Sequence, residues 1–321
     1  MMTTATLAVT ALGIVAPGVT GPATALHPMP GATADWFDPA TALPGRGYKK
    51  VPAAGQYLLA AARAALAADS GAVAAAGPER TGVVIGTNNA GAELLEAMDR
   101  TIIDTTAAEL SPARAPFMAM SMFAGRLSAE HRLRGFTLTT NSPATAGLDA
   151  LAIAARALGA GRASVLLVGA TEAPAPRQRV AGQADRGAAV LICESAAAAA
   201  ARGAPVYGYC AARSAFLEPV APDVAPVLER LVGGALATEA AVDAVLDDSR
   251  VGTAVARWLS AHVPAGLLTN THVVPDAGCL TPIRLLVGRL AEASVPPRRL
   301  IVTAAGHGNL AVATLTGPPG R

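Results

Sequence analysis

The stretch Gly135-Phe-Thr-Leu-Thr-Thr-Asn-Ser-Pro-Ala144-Thr-Ala-Gly-Leu-Asp-Ala-Leu151 decides how the chain is read. Phe136 to Thr140 is a short β-branched and aromatic run, Asn141-Ser142-Pro143 is turn chemistry, and an Ala/Leu-rich helix follows at once. A strand, a sharp turn and a helix N-terminus make the place where an acyl-transfer site carries its Cys or Ser. The helix end lowers a thiol pKa and stabilises an oxyanion. The residue at that point is Ala144, whose side chain is a methyl group. The frame of a nucleophile site is present without its reacting atom.

Outward from this turn, strands and helices alternate, which predicts α/β layering. Thr137–Asn141, Thr145–Leu158 and Ser164–Gly169 read as strand, helix, strand; Gly266–Asn270, Gly278–Glu292 and Leu300–Ala304 repeat that order. The repeat predicts a duplicated fold. The boundary is expected near Arg202–Pro205, giving halves 1–203 and 204–321, the second one shortened. Gly21–Gly31 and Glu218–Pro226 are expected to be Pro-rich surface loops.

The chain has 321 residues, 52% apolar and 15% charged, enough for a large core, and no apolar run reaches the length of a membrane span. Leu7–Val15 lacks a basic segment before it and contains Gly13, with Pro17 just beyond, so it reads as a buried strand rather than a secretion signal. A net charge of +2, without a basic stripe interleaved with aromatics, argues against nucleic acid as the main partner. Cys193, Cys210 and Cys279 stand far apart in apolar settings and read as reduced core residues of a cytoplasmic protein. No metal site and no cofactor are expected. His27, His131 and His262 are expected at the surface.

Pro143-Ala144-Thr145-Ala146-Gly147 resembles the Ala-Cys-Thr/Ser-Ser-Gly motif of the β-ketoacyl synthases of the thiolase-like superfamily, with Ala144 at the cysteine. The likeness runs along almost the whole chain. Leu7–Pro17 resembles the family's opening "VTGLGVVSP" strand, and Tyr48–Ser70 resembles the entry to its first long helix. Arg80–Thr87 resembles "RVGVVLGT", Ala163–Ala173 resembles "DVALAGGAEA", and Gly187–Glu194 resembles "GAAVLVLE". The resemblance implies a thiolase-like αβαβα layered sandwich built from two duplicated halves.

It also implies four catalytic positions, and all four are degenerate. The nucleophile is Ala144. The loop after Val242–Leu246 stands where the family has "AHGTGT", and Asp248 occupies the His position. Thr271–Gly278 resembles "GHxxGAAG", which puts His272 at that motif's His and Leu267 at the preceding Lys. Ala305–Asn309 resembles "FGGHN"; aligned on Asn309, Gly308 takes the His position and His307 is displaced by one. Ser142, His272, His307 and Asn309 are therefore read as vestigial or structural. Losing a nucleophile alone costs on the order of a millionfold in turnover, so the chain is not expected to condense anything by itself.

A ketosynthase-like chain without the Cys resembles the chain length factors of type II polyketide synthases, with the short length closer to those of highly reducing, polyene-forming systems. Many such factors have Gln at the nucleophile position, and Ala144 departs from that. The resemblance implies a heterodimer with an active ketosynthase, transient contact with acyl carrier protein, and a growing acyl or polyene chain in a shared tunnel. The strand Phe136–Thr140, with Phe136, Leu138 and Thr140, would pair with the partner. Phe117, Met118, Met120, Met122 and Phe123 form the densest Met/aromatic cluster, read either as a core stripe or as tunnel lining suited to Met's adaptable thioether. Two other readings stay open. One is an acyltransferase or thioesterase-like enzyme with a relocated site at Ser142, His307 or His272. The other is a homodimeric scaffold that binds acyl carrier protein, with Arg46, Lys49, Lys50 and Arg63 as candidate contacts.

Overall fold

In a computed structural model of the chain, residues 6–30, 35–174, 185–232, 240–273, 278–292 and 298–318 are described. The first half runs β1 (Leu7–Val15), α1 (Pro39–Ala42), α2 (Ala53–Ala67), α3 (Ala72–Ala76), β2 (Thr81–Thr87), α4 (Ala92–Asp104), α5 (Ser121–Glu130), β3 (Thr137–Asn141), α6 (Ala146–Gly159), β4 (Val165–Glu172), β5 (Gly187–Glu194) and α7 (Ala196–Ala201). The second runs β6 (Gly208–Phe216), α8 (Ala225–Val232), β7 (Ala241–Leu246), α9 (Arg250–His262), β8 (Leu268–His272), α10 (Leu280–Ala291), β9 (Arg299–Ala304) and β10 (Asn309–Thr316). The strand order is β3-β2-β4-β5-β1-β6-β10-β9-β7-β8. Counted from either outer edge, each set of five follows the same order of its own first to fifth strands, so the duplication is a property of the topology. The expected division at 203/204 falls between α7 and β6.

Burial shows why these runs became strands. Every residue of β2, β4 and β5 is buried, as expected of sheet covered on both faces, whose strands read as continuous apolar runs rather than alternations. Three apolar layers fill the molecule. α2 and α5 cover the outer face of the first sheet half through Leu58, Leu59, Phe123 and Leu127. α8 and α9 cover the outer face of the second through Leu228, Val255, Trp258 and Leu259. α6 and α10 lie between the halves, α6 against β2, β4 and β6 and α10 against β5 and β9. This is the αβαβα sandwich. One detail differs from two separate sheets: β1 pairs with β6 (Leu7 opposite Cys210, Val9 opposite Gly208), so a short ladder joins the halves into one ten-stranded sheet.

The central helix α6 is apolar nearly all round because it faces sheet on two sides. Its small residues set how near α10 can come. A Cβ at Gly147 would stand 2.4 Å from Ile283 Cγ1 and 3.0 Å from the Cys279 carbonyl oxygen. The N-termini of α6 and α10 therefore meet, at the carboxyl end of the parallel strands β2, β3 and β4. That is where open α/β sheets place their sites.

A candidate acyl-transfer site without a nucleophile

Ala144 has φ of +57° and is 4% exposed. The left-handed conformation costs a non-glycine residue roughly 1–2 kcal/mol. The sharp path from β3 into α6 is aided by a bond from Thr145 N to Pro143 O. The surrounding side chains are tied down as well. Asp149, in the first turn of α6, accepts from Ser142 Oγ at 2.7 Å and Thr145 Oγ1 at 2.9 Å on one oxygen, and from Ser214 Oγ of β6 on the other. Ser142 thus faces a carboxylate that three hydroxyls share, a weaker base arrangement than the imidazole a serine nucleophile uses.

The second helix end at the site is also taken. Asp185 accepts from Leu280 N and Thr281 N, both at 3.0 Å, and from Thr281 Oγ1. The amides that open α10 therefore serve the protein's own carboxylate rather than an oxyanion. Burial raises the Asp185 pKa, opposed by its bonds to Thr281 and by Arg284. A cleft of 440 Å³ beside this turn is lined by Asp185, Arg186, Thr271, Thr281 and Arg284, among others.

The remaining expected positions separate. Asp248 is exposed, whereas its neighbour Asp247 is buried and faces inward. Asp247 Oδ2 accepts from Gly306 N at 3.1 Å and its Oδ1 from Ser249 N at 3.2 Å, so it joins the loop after β7 to the β9–β10 turn. Leu267 is half-buried at the entry to β8. His272 ends β8 opposite Leu246, and its side chain lies outside the described residues. His307 is exposed at the tip of the β9–β10 turn. Gly308 closes that turn with φ of +96°, donating its N–H to Ala305 O, while Asn309 O accepts from Ala305 N. A Cβ at Gly308 would meet Leu217 O at 2.2 Å and the Phe216 ring at 2.8 Å, so no histidine fits where the family motif has one.

The thiols offer no substitute nucleophile. All three are buried and free, and burial pushes their pKa up, that of Cys210 to about 12. Among the described residues no group of three His, Cys, Asp or Glu could hold a metal ion, and no helix is long and apolar enough to cross a membrane.

The Met/aromatic run splits between the readings it allowed. Phe123 is 1% exposed and packs in the core beside Gly55 of α2, so it is a core residue. Phe117 belongs to a smaller cluster with Val51, Leu94, Met98 and Met122, while Met120 is half-buried and Met118 is exposed. Among the described residues β3 is an outermost strand, paired only with β2; Leu138 and Thr140 on it and Phe136 just before it are half-buried. His27 and His262 are exposed as expected, but His131 is half-buried, and desolvation lowers its pKa. Its position at the end of α5, after Leu127 and Ser128, turns it inward. Of the basic candidates, Arg46, Lys49 and Lys50 are exposed in one loop. Arg63 is held by Glu130 at 2.8 Å, and Arg126 reaches the same carboxylate at 3.1 Å.

Asp149, Asp185, Asp247 and Glu172 are the polar residues that sequence reasoning missed. Each acts on a segment distant in sequence: Asp149 on Ser214, Asp185 on the start of α10, Asp247 on Gly306 and Glu172 on Asn88 and Asn89.

The family profile described as beta-ketoacyl synthase, N-terminal domain, matches residues 32–213, more than half of the chain. The chain belongs to the β-ketoacyl synthase family. It is 29% identical over 204 residues to the 3-oxoacyl-[acyl-carrier-protein] synthase 2 of Rhizobium meliloti, covering 54% of this chain and 47% of that protein. To the protein of the same name from Vibrio harveyi it is 29% identical over 223 residues, covering 58% and 51%. The chain thus spans about half the length of these curated relatives. Solved structures share its fold, among them the following two. A type II polyketide synthase acyl-carrier protein in complex with its ketosynthase bound to the hexaketide matches with a TM-score of 0.77 at 18% identity, covering 98% of this chain and 100% of that one. The ishigamide ketosynthase/chain length factor matches with 0.76 at 22% identity, covering 97% and 99%.

Proposed function

We propose that this chain is a non-catalytic, chain-length-factor-like subunit that pairs with an active ketosynthase and shapes the tunnel into which the acyl chain grows. The observation that carries this reading is Ala144: a buried residue kept in the costly backbone conformation of a nucleophile turn, with a methyl group where the nucleophile belongs. Such a turn retains value as the wall of a cavity and as the support of β3, whose free edge is suited to a ladder with a partner strand. The exposed Arg46, Lys49 and Lys50 suit an acidic carrier protein, and the solved relatives include a ketosynthase with its acyl-carrier protein.

A wall can measure length without chemistry. Each two-carbon extension buries two methylene-sized groups, worth roughly 1.5 kcal/mol while room remains. Once the wall is met, overpacking costs about 1–3 kcal/mol. The swing amounts to about two orders of magnitude in favour of stopping.

Light scattering of this chain purified with its ketosynthase, only one of them tagged, is expected to give a 1:1 heterodimer. A homodimer that ignores the ketosynthase would contradict the reading. Within the heterodimer, Phe117→Ala is expected to lengthen products. Phe123→Ala is expected instead to cost about 3–5 kcal/mol of stability, because that ring is core. Product mass spectra and urea unfolding separate the two effects. Unchanged product lengths with Phe117→Ala in an intact complex would remove Phe117 from the tunnel.

A further inference from the structure

Glu172 ends β4, at the same end of the sheet as the Ala144 turn, and is fully buried. Its Oε2 accepts from Asn89 N at 2.9 Å, and its Oε1 accepts from the Asn88 amide and, at 3.4 Å, from the Cys279 thiol. Thr87 Oγ1 lies 3.5 Å from Oε1. Gly278 makes room for the side chain, since a Cβ there would stand 2.5 Å from Glu172 Cγ. One carboxylate therefore grips the turn between β2 and α4 from one side and the entry to α10 from the other. Its named neighbours on β2, on that turn and on α10 all donate, and none is a cation. The charged group that acts on it from the segment before β5 is Asp185, whose like charge opposes ionisation; Arg284 of α10 acts in turn on Asp185.

We propose that Glu172 is a proton-operated latch: ionised, it holds the 87–91 turn against the start of α10, and protonated, it lets that turn go. Two opposed forces meet at this carboxyl. Full burial favours the neutral form, while a cage of donors favours the charged one. A protonated carboxyl carries a proton on an oxygen that the Asn88 and Asn89 backbone N–H groups, which cannot accept, need as an acceptor, so the grip on that turn weakens. The balance places the pKa at about 7, with desolvation the largest cause and the Asn89 and Asn88 amides opposing it.

The turn that the latch holds touches what matters at this site. Asn88 O accepts from Asn141 Nδ2 at 3.1 Å, at the end of β3, and Gly91 packs on the terminal methyl of Met120. The consequence for assembly rests on the subunit reading above: the β3 edge is presented best above neutrality, and affinity for a ketosynthase falls as the pH drops from 8 to 6. The latch itself does not need that reading.

The test follows the amide resonances of Asn88 and Asn89 in the full chain from pH 5.5 to 8.5. Both are expected to titrate with one midpoint near 7, and Glu172→Gln is expected to abolish it. Flat amides in the wild type, or a midpoint that persists in Glu172→Gln, would overturn the latch. Cys279→Ser keeps the carboxyl and tests the idea even where Glu172→Gln does not fold. Its stronger O–H donor is expected to lower the midpoint by about half a pH unit or more. An unmoved midpoint in Cys279→Ser also overturns the proposal. Ketosynthase affinity measured at pH 8 and pH 6 keeps the two readings apart. Amides that titrate in a chain that binds no ketosynthase support the latch and sink the subunit reading.

Discussion

Gly308→His, which writes the family's histidine back into the C-terminal loop, is expected to break the β9–β10 turn rather than supply a donor. The backbone there has φ of +96°, and a Cβ would stand 2.2 Å from Leu217 O and 2.8 Å from the Phe216 ring. Leu217 cannot yield easily, because its N–H donates to the Gly308 carbonyl at 2.8 Å, locking the end of β6 to the turn. Strain and backbone displacement together are expected to cost about 3–5 kcal/mol, read as a lowered urea midpoint with an unchanged m-value. A variant as stable as the wild type would show that the loop has another path open to it, and that the histidine position is recoverable. The expected result would mean that the backbone of the β9–β10 turn, and not only the residue at 308, excludes a side chain there.

Asp243→Ala is expected to be equally damaging for a different reason. Asp243 is 1% exposed in β7 and accepts from Arg289 Nε at 2.9 Å, Arg289 Nη2 at 2.8 Å and Arg299 Nη1 at 3.1 Å. The bidentate geometry makes this the joint between the end of α10 and the strands β7 and β9. Glu292 holds the other side of Arg289 at 3.0 Å, so deletion of Asp243 leaves Arg299 the more exposed to loss. Breaking a buried pair by removing one partner costs about 3–5 kcal/mol, since the charge left behind stays desolvated. Thermal or urea unfolding checks it. A loss under about 1 kcal/mol would mean that the guanidinium groups reach water once the carboxylate is gone.

Much of the fold could be read from residues next to one another. The strand, turn and helix around Ala144 are written in β-branched residues, Asn-Ser-Pro and an Ala/Leu run, and the structure places them within a residue or so of the expected bounds. The same holds for Leu7–Val15 and Gly187–Glu194, whose mostly apolar runs match strands buried on both faces. What could not be read depends on distant segments. The burial of Phe123 depends on α2, which arrives against it from more than fifty residues away. Asp247 rather than Asp248 faces the site because it sits where the chain leaves β7 and is still buried, whereas Asp248, one residue further into the loop, is exposed. Asp149 and Asp185 look like ordinary surface acids in sequence, and only the meeting of α6, β6 and α10 gives them partners.

The most direct measurement is elongation of an acyl–carrier-protein substrate with malonyl–carrier protein, followed by mass spectrometry, using this chain alone, its ketosynthase alone, and the two together. The expected result is no elongation by this chain alone and processive elongation by the pair, with a product length that changes when this chain is exchanged for a relative. Elongation by this chain alone would contradict the proposal outright, because it would require a nucleophile that Ala144 does not supply.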